Sequence, residues 1–536
     1  MKAPLNLLIA QINSKVGDIT YNTQQIIDVI RKMQDKHDVI IFPELVLSGY
    51  PPEDLLLHPS FHREISDSLD RIRAVTDTCY VVIGHPHQTE KSLFNRASIF
   101  YQQQTVLTYD KYHLPNYGVF DEKRYFAPGA LVAQTIEIKG HRVGVCICED
   151  LWQPGPVETH LKNQTDLLLL LNASPFDILK PAQREARLKH YAKQGIALVY
   201  VNLVGGQDEL VFDGQSLVFD ADGKLCTRLP AFESLNSTVH YTSKINIEGP
   251  ITSICTKEET IYLALCTGLR DYVYKNGFKN VLVGLSGGID SALTLAIASD
   301  ALGPEQVQAV LMPSRYTADM SNEDALIEAQ ALGVQIESLP IEPIFETILT
   351  SLQPVFKGKP TDLTEENIQA RIRGLLLMAL SNKTGKLVLT TSNKSEVAVG
   401  YATLYGDMCG GFSVLKDLFK TEVYALARYR NEISQVIPKR VIERPPSAEL
   451  RFDQTDQDNL PDYSELDQIL FLFIDKKQNV SEIIAQGFEA ETVHRVLSLL
   501  VKNEYKRQQA APGVKISPTA FGKDWRYPIT SGFELK

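Results

Sequence analysis

Long apolar runs are missing from this chain. The longest, around Leu167–Leu171, falls far short of the roughly 20 residues a bilayer span needs. An excess of positive charge is missing too. Lys and Arg number 54 against 65 Asp and Glu, a net charge of −11, and the basic residues are scattered, which argues against a nucleic-acid or membrane-surface partner. Seven cysteines spread from Cys79 to Cys409 do not fit a disulfide framework and suit a reducing compartment. Met1–Ala10 shows no long h-region or cleavage site and passes straight into Gln11-Ile-Asn13, so a first strand is expected, in a cytoplasmic protein. Low-complexity tracts are absent, and 44% hydrophobic with 22% charged residues is a globular composition. At 536 residues the chain exceeds one ordinary core, so roughly two or three domains are expected.

The most informative stretch is Val281–Thr294. An apolar, β-branched run to Leu285 breaks at Ser286-Gly287-Gly288, and apolar residues resume at Ala292. That pattern reads as a buried parallel strand, a tight loop and a helix opening at Asp290-Ser291. Glycines let the backbone approach an anion, the helix N-terminus aims amides at it, and the Ser286 and Ser291 hydroxyls add donors. No Gly-Lys-[Ser/Thr] ending is present. Instead a carboxylate, Asp290, sits inside the cradle, where a bound cation is needed to make it tolerable beside phosphate. Ser-Gly-Gly-x-Asp-Ser after a hydrophobic strand resembles the PP-loop of ATP pyrophosphatases, which split ATP between the α- and β-phosphates. The resemblance implies ATP contacts from Leu285, Ser286, Gly287, Gly288, Ile289, Asp290 and Ser291.

In the first half, short apolar runs read as strands at Leu5–Ala10, Val39–Phe42, Tyr80–Gly84, Ala97–Tyr101, Arg142–Cys148, Leu167–Leu171, Ala197–Leu203 and Ser216–Phe219. Thr20–Gln34 reads as an amphipathic helix. The mixture suggests an α/β sandwich. After Gly249-Pro250 the pattern becomes strand–helix alternation, with strands at Val281–Leu285, Val307–Met312 and Leu387–Thr391, fitting a doubly wound parallel sheet. The expected domains are therefore 1–248 and 249–536. Arg315–Asn322 and Gly406–Phe419 are read either as lids or as plain surface loops, and Trp525–Lys536 as a loose tail.

Three strand ends in the first half carry reactive side chains: Glu44 after Phe42-Pro43, Lys111 within Tyr109–Pro115, and Cys148 in Val143–Trp152. A thiol nucleophile needs a base for its proton and a cation for the developing oxyanion, which Glu and Lys could supply. Cys146, two residues earlier and so on the same strand face, competes with Cys148. Together these segments resemble the carbon–nitrogen hydrolase (nitrilase) superfamily, whose glutaminase branch carries a Glu-Lys-Cys triad. The resemblance implies an α-β-β-α sandwich with Glu44 as general base, Lys111 as electrostatic stabiliser and Cys148, from its Cys-Glu-Asp-Leu-Trp tail, as nucleophile. It also implies Tyr117, Ser174 and Lys180 as glutamine contacts. Glu122 is either a second carboxylate supporting the site or a solvated acid in the charged Asp121–Arg124 run.

In the second half, Asn367 and Arg371 lie four apart on one predicted helix face, and Leu387–Thr391 ends in hydroxyls with Glu396 shortly after. These segments, with Tyr405-Gly-Asp407, Lys420, Pro445–Leu450 and Asn503–Arg507, resemble the NAD synthetase family. A glutaminase first and a synthetase second is the order of its glutamine-dependent branch, and the match runs from Leu7 to about Arg507. Ser447 and Tyr505 depart from the residues common there. The resemblance implies ATP contacts from Thr391, Lys420 and Ser447, and contacts to deamido-NAD from Asn367, Arg371, Glu396 and Lys506. It further implies Mg²⁺ on Asp290 and Glu396, an internal passage for ammonia, and a homo-oligomer, at least a dimer through the synthetase half. Glutamine, ATP and deamido-NAD are then the small-molecule partners. Two rivals are another PP-loop amidotransferase and an amide hydrolase fused to an ATP-sensing module.

Overall fold

A computed structural model describes residues 2–452, 454–458 and 460–533. It divides the chain into two units, Met1–Cys255 and Thr256–Lys536. The stretch just past residue 248 stays with the first unit, because Arg228 N donates to Pro250 O and Thr252 N to Arg228 O.

The first unit is built on two sheets. The seven-stranded one runs, edge to edge, Asn246–Glu248, Leu235–Ser243, Leu5–Gln11, Val39–Ile41, Tyr80–Gln88, Leu93–Tyr101 and Gln104–Asp110. The six-stranded one runs Leu225–Arg228, Leu217–Phe219, Ala197–Asn202, Leu167–Asn172, His141–Ile147 and Thr135–Ile138. Strand periodicity decides which residues meet. Leu5, Leu7 and Ile9 share a core with Val143, Val145 and Leu167–Leu171 of the other sheet. Leu8 and Ala10 point the opposite way, onto Ile26, Ile30, Phe61 and Ile65 of the helices Ile19–Met33 and Pro59–Val75. Leu188, Tyr191 and Ala192 of the helix Lys180–Ala192 pack against the six-stranded sheet. The result is a helix–sheet–sheet–helix sandwich. Strands that the sequence hid, such as Gln104–Asp110 and Thr135–Ile138, are edge or near-edge strands with partly exposed, polar patterns.

The second unit carries a five-stranded parallel sheet in the order Gln335–Ser338, Val307–Leu311, Val281–Gly284, Leu387–Thr390 and Phe412–Ser413. Val281–Gly284 is central, and the chain leaves it on one side before returning on the other. A crevice at such a switch point, beyond the carboxyl ends of the strands, is where ligands bind in open α/β sheets. A helical lobe, including Tyr463–Ile474 and Ala490–Lys502, has a core of its own.

Three expectations need correction. Gly406–Phe419 is no surface loop: it contains the fifth strand, and Val414, Leu415 and Leu418 are wholly buried. The second half of Arg315–Asn322 opens the helix Asp319–Leu332. Trp525 does not begin a loose tail, since its indole is buried, stacks on Tyr527 at 4.3 Å and donates to Glu504 Oε2 at 2.9 Å. Among the described residues no helix is long and apolar enough to cross a membrane.

Candidate active sites

Glu44 follows the strand Val39–Ile41 and is wholly buried, so each of its oxygens must be satisfied by protein. Its Oε1 accepts from Lys111 Nζ at 2.7 Å and Asn95 Nδ2 at 2.8 Å, and its Oε2 accepts from Ala173 N at 2.8 Å. Lys111 Nζ also donates to Glu122 Oε1 at 2.8 Å, and Tyr50 OH donates to that same oxygen at 2.9 Å. Glu122 is therefore not a solvated acid. Only its side chain, among the charged residues of 121–124, is turned into the site. Burial pushes its carboxyl up to about 7, against the pull of Lys111. Burial alone would lower the Lys111 pKa, but Glu122 and Glu44 more than offset it and hold the ammonium well above its usual range.

Cys148 is the first residue of a short turn, Cys148–Leu151, and takes a left-handed φ of 43°. The strand has already ended at Ile147, so the same-face relation expected between Cys146 and Cys148 does not hold. Cys146 is fully buried within the strand and packs in the core between the sheets. Burial raises the Cys148 thiol well above its usual range, with Glu44 adding to the effect and Lys111 opposing it. A protonated thiol beside a carboxylate base and a fixed ammonium is a set that can do nucleophilic chemistry on a carbonyl.

The three expected substrate contacts lie around this core. Tyr117 is half exposed and donates to Glu149 Oε2 at 2.9 Å, while Gln153 Nε2 holds the other oxygen at 2.9 Å. Ser174 is buried, with its amide on Asn202 Oδ1 at 3.0 Å. Lys180 Nζ lies 4.1 Å from the centre of the Trp152 ring, and burial lowers its pKa.

In the second unit the loop after Val281–Gly284 closes on itself. Ser291 Oγ accepts from Ser286 N at 3.2 Å and donates to Gly288 O at 2.9 Å; Gly288 N donates to Ser286 Oγ at 3.2 Å. Gly287 has a φ of +76°, and a Cβ there would lie 2.2 Å from Ser321 O, so only glycine fits. The loop borders a cavity of about 330 Å³ lined by Leu285, Ser286, Gly288, Ile289, Asp290 and Ser291, and also by Thr391, Glu396, Lys420 and Ser447. Lys420 Nζ stands between two carboxylates, 2.5 Å from Asp290 Oδ2 and 3.0 Å from Glu396 Oε1. Burial, opposed by Lys420, pushes the Glu396 carboxyl up to about 8.

Asn367, Arg371 and Lys506 do not line that cavity. They gather on the neighbouring 400–407 segment. Asn367 Oδ1 accepts from Thr403 Oγ1 at 2.8 Å, Arg371 Nε donates to Leu404 O at 3.2 Å, and Lys506 Nζ donates to Gly400 O and Ala402 O at 2.7 and 2.8 Å. Several site residues escaped the sequence reading. Asn393 Nδ2 donates to Asp290 Oδ1 at 2.8 Å, Arg444 caps Gly287 O, and Arg373 lines the cavity. Arg373 had a signal, in the same Asn-x-x-x-Arg-x-Arg run that pointed to Arg371.

Comparison with known proteins matches residues 8–241 to the carbon-nitrogen hydrolase family and residues 261–510 to the NAD synthase family. A glutamine-dependent NAD(+) synthetase of Xanthomonas campestris pv. campestris is 49% identical over 99% of this chain and 98% of its own. The chain belongs to the glutamine-dependent NAD(+) synthetase family. A solved member from Acinetobacter baumannii, in complex with ADP, covers 99% of this chain and 100% of its own, at 43% identity and a TM-score of 0.81. Another, from Cytophaga hutchinsonii, shares the fold at a TM-score of 0.83 with 21% identity, covering 99% of this chain and 98% of its own. Family membership agrees with the helix–sheet–sheet–helix and parallel-sheet units described above.

Proposed function

We propose that the chain converts deamido-NAD to NAD(+), using ATP and the amide nitrogen of glutamine. The observation that carries this reading is the presence, in one chain of that family, of a buried Glu44–Lys111 pair serving Cys148 and a serine–glycine cradle closed by Asp290, Lys420 and Glu396. In the first unit Cys148 Sγ attacks the amide carbon of glutamine. Glu44 takes the thiol proton, the Lys111 ammonium faces the oxyanion, and Glu44 returns the proton to the departing ammonia. Water then cleaves the thioester to release glutamate. Tyr117, Ser174 and Lys180 hold the amino acid's α-groups.

In the second unit the nicotinate carboxylate attacks the α-phosphorus of ATP, breaking the α–β bond to give an adenylate and pyrophosphate. The Ser286–Ser291 loop amides and hydroxyls receive the pyrophosphate, with Lys420, Thr391 and Ser447 completing the ATP contacts. Asn367, Arg371 and Lys506 hold the dinucleotide. Ammonia adds to the acyl carbon, the acyl C–O bond breaks with its electrons going to AMP, and the new amide nitrogen releases one proton to solvent. Asp290 and Glu396 fit a divalent cation, for their oxygens converge on a single cationic position beside the cradle. Mg²⁺ bound there would neutralise the charge of the polyphosphate. The enzyme works in the cytoplasm as a homo-oligomer, at least a dimer through its synthetase half, a state that light scattering on the purified protein measures directly.

The deciding assay is NAD(+) formation from deamido-NAD and ATP–Mg²⁺, driven by glutamine or by ammonium, for the wild type and Cys148→Ala. Loss of glutamine-driven synthesis alone supports two sites with Cys148 as nucleophile. If the wild type makes no NAD(+) from either donor, the dinucleotide assignment fails. A mutant that still uses glutamine removes Cys148 from the chemistry.

A further inference from the structure

Lys111 and Cys148 reach the first site from different elements, and their spacing is set by neither residue. Lys111 follows the strand Gln104–Asp110, whereas Cys148 opens a turn beyond the strand His141–Ile147. The two segments are joined by His113 Nε2 on Pro154 O at 2.9 Å and Tyr117 OH on Glu149 Oε2 at 2.9 Å, and most fully at one buried carboxylate. Asp150, two residues after Cys148, is wholly buried, and its carboxylate accepts three hydrogen bonds. Oδ2 accepts from Tyr109 OH at 2.8 Å and from Ile147 N at 3.1 Å, and Oδ1 accepts from His113 N at 2.9 Å. Tyr109 and His113 flank Lys111 symmetrically, two residues to either side. Ile147 directly precedes Cys148.

We propose that Asp150 is a positioning residue whose carboxylate clamps the segment bearing Lys111 onto the turn bearing Cys148, fixing the spacing of ammonium and thiol for glutamine hydrolysis. The inference rests on the reading of Cys148 as nucleophile and Lys111 as oxyanion stabiliser. Three physical points support it. A non-glycine residue in the left-handed region costs about 1–2 kcal/mol, so the Cys148 turn needs a partner to hold it. The Ile147–Asp150 bond supplies that closure from within the turn. Second, an ionised carboxylate accepts at both oxygens and donates nothing, so it can take an N–H, an N–H and an O–H together. An amide of the same shape would turn its own NH₂ against one of these donors. Third, a displacement of about 1 Å at a reacting centre can cost on the order of 10²-fold in rate. The hydrogen-bond partners of Asp150 are Tyr109, His113 and Ile147, not Lys111, Glu44 or Cys148. Its influence is on where they sit.

The test uses the full chain with Asp150→Asn and Tyr109→Phe. Three quantities are read: glutamate release with kcat and KM separated, ammonium-driven NAD(+) formation, and the pH dependence of iodoacetamide labelling at Cys148 by peptide mass spectrometry. Asp150→Asn is expected to lower kcat for glutamate release about 10²-fold, with KM for glutamine within about threefold. Ammonium-driven synthesis should stay within about twofold, and labelling of Cys148 should move to higher pH as the Lys111 charge recedes. Tyr109→Phe keeps the carboxylate and two of its three bonds, and should lose about tenfold in kcat. An Asp150→Asn enzyme with normal kcat overturns the clamp. So does a chain crippled equally with both nitrogen donors, if Tyr109→Phe then hydrolyses glutamine normally with an unshifted labelling profile. Failure of the underlying reading looks different: Cys148→Ala would still release glutamate.

Discussion

Each unit of this chain sets a buried lysine between two carboxylates at its candidate site, and the two trios differ in how far they are sealed. Lys111 with Glu44 and Glu122 is sealed: the side-chain exposures are 0%, 0% and 6%. Both oxygens of Glu44 accept hydrogen bonds from protein donors. Lys420 with Asp290 and Glu396 borders an open cavity, and both carboxylates are exposed by about a sixth. A permanent ammonium suits a site whose oxyanion forms in the same place at every turnover. On the proposed reading, an ammonium beside an open cavity suits a site whose charge arrives with a polyphosphate and leaves with it. The same residue types thus differ between the units in how far their carboxylates are exposed.

The largest effect should come from breaking the sealed trio. Lys111→Met leaves two buried carboxylates without their cation, which costs on the order of 3–5 kcal/mol of first-unit stability. It should also cut glutamine-driven synthesis by about 10²–10³-fold or more, the scale of losing one oxyanion stabiliser. Trp152 lies in the first unit and Trp525 in the second, so single-tryptophan variants report the two urea transitions separately. A first-unit transition that does not move would end the claim that the trio is a stabilising unit.

Lys420→Met is the matching change in the open trio. It should cut synthesis equally from glutamine and from ammonium, because both donors use the same adenylate. Its stability loss should be smaller than that of Lys111→Met, since Asp290 and Glu396 keep about a sixth of their side-chain surface exposed whereas Glu44 keeps none. Added Mg²⁺ should recover part of that loss by occupying the position between Asp290 and Glu396. Equal stability losses in the two variants, with no recovery by Mg²⁺, would erase the contrast between sealed and open.

A third contrast is in pH. Glu122 and Glu396 are held up at about 7 and about 8 in the folded chain, from a usual value of 4.5. Between 4.5 and those values the folded chain keeps protons that the unfolded chain releases. Stability from these groups is therefore complete below about 4.5 and falls as pH rises, rather than growing as for ordinary paired carboxylates. Urea midpoints at pH 5.5 and pH 8 should show that fall. Glu122→Gln should flatten it in the first unit, and Mg²⁺ with ATP in the second, where a divalent charge favours the ionised carboxylate. A midpoint that rises with pH in both units would contradict the burial of these carboxyls.

The same contrast governs what could be read from the sequence. The cradle of the open site is local: Ser286 to Ser291 lie within one strand–loop–helix passage, so its chemistry shows in consecutive letters. The sealed site is assembled from far apart. The partners of Glu44 are 51, 67 and 129 residues away, and Asn95 and the Ala173 amide carry no local mark of their role. Glu122 lies in a charged run that reads equally as a supporting carboxylate or a solvated acid, because a linear pattern cannot tell which one of four neighbouring charged residues a short turn points inward. Gly406–Phe419 read as a loop or lid because its two-residue strand is too short to leave a periodicity. The folds were legible from the long apolar strands, whereas polar edge strands and non-local partners were not.

The smallest effect belongs to the other cysteine. Cys146 is fully buried in the strand, among core residues, while Cys148 stands beyond the strand's end in a left-handed turn beside the trio. Burial holds the Cys146 thiol, like that of Cys148, well above its usual range, but the charges acting on Cys146 are those of Asp150 and Glu158 rather than the Glu44–Lys111 pair that acts on Cys148. Cys146→Ala removes only packing, and should cost about 1 kcal/mol in the first-unit urea transition. Glutamine hydrolysis should remain within about twofold of wild type. A Cys146→Ala chain that folds yet no longer releases glutamate would mean that the reactive thiol is inside the sheet, and that the fixed charge of Lys111 serves a different atom from the one assigned to it.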